Sequence, residues 1–111
     1  MALLPPLYFG PTAKSQVGAG TIVWVVPVLW AARWRIVLEN SNASVGNITG
    51  VSLRRSAIGT NYGPPVAETV TAPVTPGNAW GGSDSGDCVA MLEVTATVSG
   101  SATVELSAAG Q

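Results

Sequence analysis

The residues best placed to do chemistry stand together at 81–88: Gly81, Gly82, Ser83, Asp84, Ser85, Gly86, Asp87 and Cys88. Two carboxylates among glycines have the composition of a cation or phosphate loop. The run lacks the Gly-Lys-Ser/Thr ending of a P-loop and the distal glutamate of a calcium loop, so it reads as a solvated turn before a strand. Cys88 is the only cysteine and the chain has no histidine. A nucleophilic thiol would therefore lack its usual activating base, and a lone thiol builds neither an intrachain disulfide nor a zinc site. Cys88 is expected to be a small buried hydrophobe. No acid pair is placed by spacing for glycoside chemistry. The expectation is a protein that is not an enzyme and has no cofactor, no metal and no catalytic residue.

Trp24, Trp30, Trp34 and Trp80 are the other side chains that could act on a partner, since a large aromatic can fill a core, stack on a sugar or anchor an interface. Trp24 and Trp34 lie in alternating segments and are expected in the core. Trp30 follows Leu29 in a connection between two strands, where it could pack between subunits, fold back on its own core or stack on a ligand. Trp80 follows the turn signal Pro76, Gly77, Asn78 and is expected to cap the open end of the fold.

These residues must be held by a chain of 111 residues, enough for one core that buries roughly two-thirds of the unfolded surface. Charged residues make up 10% of it, under half the usual share, and Gly, Ala, Val, Ser and Thr replace them, which excludes disorder over most of the length. Five basic and six acidic residues give a net charge of −1. That balance offers no footprint for nucleic acid or an anionic membrane, and the only adjacent basic pair, Arg54 and Arg55, reads as a solvated strand end. The apolar stretch 21–32 is broken by Pro27 and falls short of the ~20 residues of a membrane span, and Pro5 and Pro6 stand where a secretion signal would be continuous. Sequons at Asn42 and Asn47 accordingly carry no expectation of glycosylation.

Residues 1–20 hold Pro5, Pro6, Pro11, Gly10, Gly18 and Gly20, which exclude a helix and predict an extended N-terminal arm. Leu3, Leu4, Leu7, Tyr8 and Phe9 make it apolar, so it should lie on the body of the domain or on a neighbouring subunit. Residues 21–111 form the domain proper. Strands are predicted at 21–26, at 33–39 with Trp34, Ile36 and Leu38 inward, at 48–55 with Val51 and Leu53 inward, at 66–71, at 88–98 with Leu92, Val94, Ala96 and Val98 inward, and at 102–107 with Val104 and Leu106 inward. The turn-rich residues 40–47 and the short run 99–101 read as hairpin loops, and 56–65 and 72–87 as longer loops. No helical periodicity persists. The fold class is all-β: an antiparallel β-sandwich or jelly roll of about six to eight short strands with an extended N-terminal arm.

The order Val26-Pro27, a strand from Trp34 to Leu38, Asn40-Ser41, a return strand, Pro76-Gly77 and Gly86-Asp87 resembles small β-sandwich virion proteins of tailed bacteriophages, over about residues 21–110. Residues 28–32 depart from the tight Ala-Gly turn of that pattern. The resemblance implies a virion location and a structural role, as a head decoration (cement) protein or a tail or fibre subunit. Its partners would be the major capsid protein or neighbouring virion subunits, commonly in a homo-oligomer, with a trimer favoured. Leu3, Leu4, Leu7, Tyr8, Phe9, Leu29, Trp30 and Trp80 are the candidate interface residues. The competing reading is a tail- or fibre-associated module that recognises host-surface glycan through exposed tryptophans.

Overall fold

The computed structural model describes residues 7–29, 31, 33–58, 61–85 and 89–111, with the backbone alone described for Leu7 and for 83–85. They form eight strands: β1 (Leu7–Gln16), β2 (Gly20–Pro27), β3 (Arg33–Asn40), β4 (Ile48–Ser56), β5 (Val66–Glu68), β6 (Ala79–Ser85), β7 (Met91–Val98) and β8 (Ala102–Gly110). Two four-stranded antiparallel sheets result, in the orders β1-β8-β3-β6 and β2-β7-β4-β5. The strands pair β1 with β8, β2 with β7, β3 with β6 and β4 with β5, as if one long double strand were folded at the β4–β5 connection and rolled up. That is the eight-stranded jelly roll.

Alternation sets which face each strand buries. Ile22, Trp24 and Val26 of β2, Leu92, Val94, Ala96 and Val98 of β7, and Val51 and Leu53 of β4 point from one sheet. From the other come Trp34, Ile36 and Leu38 of β3 with Val104, Leu106 and Ala108 of β8. Each fully buried Leu or Val contributes about 1.5–3 kcal/mol by leaving water.

The stretch expected as an arm lies in the first sheet from residue 7 onward: β1 pairs along β8 from Leu7↔Gly110 to Gln16↔Ala102, with a register shift between Phe9 and Thr12. The open side between the edge strands β1 and β2 is bridged by side chains. Lys14 donates from Nζ to the carbonyl oxygen of Val23 at 2.7 Å, and Trp24 donates from Nε1 to that of Thr12 at 3.2 Å. Lys14 sits opposite buried Val104, so it is a charge placed on the inner side of an edge strand, a device that blocks pairing with other chains.

The two connections expected as hairpin loops are crossovers. β3 and β4 belong to different sheets, as do β7 and β8, so residues 40–47 and 99–101 each carry the chain over the end of the sandwich. They are laced to one another: Val45 N and Gly46 N both donate to Ser101 O at 2.9 Å, Ser99 N donates to Asn47 O at 2.9 Å, and Asn47 N donates to Ser99 Oγ at 3.0 Å. Asn40, buried, donates from Nδ2 to the carbonyls of Gly46 and Val74, at 3.0 and 2.9 Å, and so ties the crossover to the segment before β6. Residues 79–85, expected as loop, are the edge strand β6. The strand expected at 66–71 is shortened to Val66–Glu68, and that expected at 88–98 begins at Met91.

Candidate functional site

Of the residues that suggested chemistry, Gly86, Asp87 and Cys88 lie outside the described residues, and Asp84 is placed by its backbone on β6 opposite Trp34. Among the described residues no three His, Cys, Asp or Glu side chains converge to hold a metal ion. The exposed surface comprises the outer faces of the two sheets and scattered apolar side chains such as Tyr8, Val17, Leu29, Val45 and Ile58.

Of the candidate interface residues, Leu3, Leu4 and Trp30 lie outside the described residues, and Leu7 begins β1. Tyr8 is 78% exposed, whereas Phe9, its neighbour on the opposite face of β1, packs on the core. Leu29 is 56% exposed and holds a φ of 47°, in the left-handed region that a branched side chain seldom adopts. Its turn is fixed by Val28 N and Leu29 N, both donating to Ala90 O, and by Ala31 N donating to Val28 O. Tyr8 lies beside Pro27 and Val28, so Tyr8 and Leu29 expose apolar surface at the same end. Trp80 is different. It is 9% exposed, belongs to the core and donates from Nε1 to Thr69 O at 3.0 Å, so its ring is spent inside the chain rather than offered to a partner.

The outer face of the β1-β8-β3-β6 sheet is divided by charge, with a central row of short side chains. Its rows follow from the register. Tyr8, Ala109 and Arg35 form one, Ser107, Val37 and Gly81 the next, and Ala13, Glu105, Glu39 and Ala79 the third. Arg33 extends the positive end. Glu39 and Glu105 stand directly opposite one another, an arrangement that like-charge repulsion disfavours unless something of the other sign compensates. With Asn42, Asn78 and Thr103 they border an open depression of about 420 Å³. The Arg35 guanidinium reaches over Gly81, whose lack of a side chain leaves room for it. Sequence alternation placed Arg33, Arg35 and Glu39 on one face; Glu105 joins them through the β3–β8 pairing, a contact between residues 66 apart in the chain (105 − 39).

The outer face of the second sheet differs. Val23 and Val25 are exposed on its edge strand, beside Thr95 and the pair formed by Arg54 and Glu93. Arg54 Nη1 lies 3.2 Å from Glu93 Oε1, Arg54 Nε donates to Gly63 O at 3.1 Å, and the guanidinium sits 5.4 Å from the Tyr62 ring centre. Arg55 lies over the Trp34 ring at 5.7 Å. Neither arginine is the solvated strand end expected from their adjacency: both are half-buried, one holding the 61–63 segment and the other covering the core tryptophan.

No family model matches the chain, and no curated protein matches it. Among solved structures, a chain in the structure of infectious bursal disease virus, Gx strain, is similar with a TM-score of 0.52 and 10% identity over 95% of this chain. A chain in the structure of the Gt strain is similar with a TM-score of 0.51 and 11% identity over 94%. This protein spans 31% of the length of each. At such identity the likeness is one of fold.

Proposed function

We propose that this protein is a structural, non-catalytic subunit of a virus particle, and within that class a decoration (cement) protein that packs on the major capsid protein or on neighbouring subunits of a bacteriophage. The observation that carries the reading is the strand order β1-β8-β3-β6 and β2-β7-β4-β5, the jelly roll found in viral capsid and lectin domains, with similarity to chains of infectious bursal disease virus structures over nearly its full length. Tyr8 and Leu29, exposed at one end, and the outer face of the β1-β8-β3-β6 sheet supply surface for packing against neighbours. The tailed-phage assignment rests on the sequence resemblance at residues 21–110. A trimer is the oligomer that the resemblance favours.

The glycan-recognition alternative called on Trp30 and Trp80 as stacking platforms. Burial of Trp80 removes one of them, and no other observation favours that reading. The test is mass spectrometry and immunoelectron microscopy of particles purified on a density gradient from the producing culture. Many copies per particle, with label on the head, are expected. A chain that stays wholly in the particle-free fraction would overturn the proposal.

A further inference from the structure

We infer that the outer face of the β1-β8-β3-β6 sheet is self-complementary and binds a second copy of this chain face to face, with Arg35 of each copy over Glu39 of the other. The inference goes beyond the virion reading and does not depend on it. Val37 is the pivot. Arg35 and Glu39 stand two residues to either side of it on the same exposed face of β3, their Cα atoms about 13 Å apart. A two-fold axis lying in the interface, running across the strands through the Val37 and Ser107 row, reverses the strand direction while keeping β1 over β1, β8 over β8 and β3 over β3. It carries the Arg35 row onto the Glu39 row. An axis along the strands would instead set arginines against arginines.

The rows then match in charge and in size. Arg35 meets Glu39 of the second copy, with Glu105 of that copy on the adjoining strand within reach of the same guanidinium. Tyr8, the bulkiest exposed side chain of the face, comes over Ala13, and Ala109 over Glu105. The central row of Val37, Ser107 and Gly81 has short side chains, so two such faces can approach as packed sheets do, about 10 Å apart. Among the described residues, no ion pair engages Arg33, Arg35, Glu39 or Glu105. Four strands across and eight residues along β3 make a patch about 19 Å by 26 Å. Two copies would bury about 1,000 Å², at the lower bound for a specific interface, so the dimer should be reversible.

Sedimentation equilibrium of the full chain tests this, with circular dichroism to establish that each variant is folded. The wild type is expected to dimerise, more weakly at high salt because surface charges are screened. Arg35→Glu and Glu39→Arg should each weaken dimerisation at least about a hundredfold, since each change is made twice across a two-fold. The double swap R35E/E39R should restore it, and so should mixing the R35E chain with the E39R chain. The inference is overturned by a wild type that is monomeric at every soluble concentration, by an oligomer indifferent to the single substitutions, or by a swap and a mixture no better than the single variants. If one single variant fails to fold, the double swap and the wild type's salt dependence decide.

Discussion

The indole of Trp80 lies directly over Gly82, two residues along the same edge strand, and occupies the space a methyl group at Gly82 would need. Gly82→Ala should therefore destabilise the fold by about 1–3 kcal/mol through overpacking, since the ring is buried and tied by its hydrogen bond to Thr69 O. Gly81→Ala, whose new methyl would meet only the mobile end of Arg35 at 3.8 Å, should cost much less. Urea denaturation of the two variants makes the comparison; equal midpoints would remove the packing argument.

Gly46 and Gly100 bring the two crossovers into backbone contact. A methyl group on Gly46 would overlap the Gly100 backbone itself, which is held by hydrogen bonds from Val45 and Gly46 to Ser101. Gly46→Ala is expected to lie at the upper end of the roughly 1–3 kcal/mol range for overpacking, or beyond it. Gly100→Ala, whose nearest neighbour would be at 3.4 Å, should be milder. The order of the two unfolding midpoints is the readout.

Leu29 carries left-handed strain of roughly 1–2 kcal/mol that a glycine would not. Part of that gain is offset by the extra freedom glycine gives the unfolded chain, about 0.4–1 kcal/mol. Leu29→Gly should thus raise stability by up to about 1.5 kcal/mol while removing exposed apolar surface. A clear loss of stability in calorimetry would mean that the Leu29 side chain contributes packing that its exposure does not suggest.

Lys14 reaches from one edge strand to the carbonyl of Val23 on the other. Its replacement by alanine should change stability little, because the ammonium is solvent-exposed, yet it uncovers the β2 edge for pairing with other chains. Faster growth of light scattering on mild heating, with a nearly unchanged unfolding midpoint, is expected for Lys14→Ala. Unchanged scattering would show that β1 alone protects that side.

The sequence by itself determined the class of fold and the face each strand turns inward. Trp34, Ile36 and Leu38, or Leu92, Val94, Ala96 and Val98, are assigned to the core by alternation alone, because in a strand the side-chain direction is a local property with a period of two. What only the tertiary structure decided is who pairs with whom. The turn-rich segments 40–47 and 99–101 look like hairpin loops, but each joins strands of different sheets, and a turn signal records a change of direction without recording which sheet the chain enters. β1 finds its partner in β8, at the far end of the chain, so its place in a sheet leaves no local trace beyond extended backbone. β6 escaped detection because Gly81 and Gly82 argue for a loop, whereas here they make room for Arg35 outside and Trp80 inside. The exposed surface divides in the same way: Tyr8 and Leu29 stand out locally, by their apolar, turn-flanked context, while the charge-divided face exists only once Glu105 is brought beside Glu39 by a pairing across most of the chain.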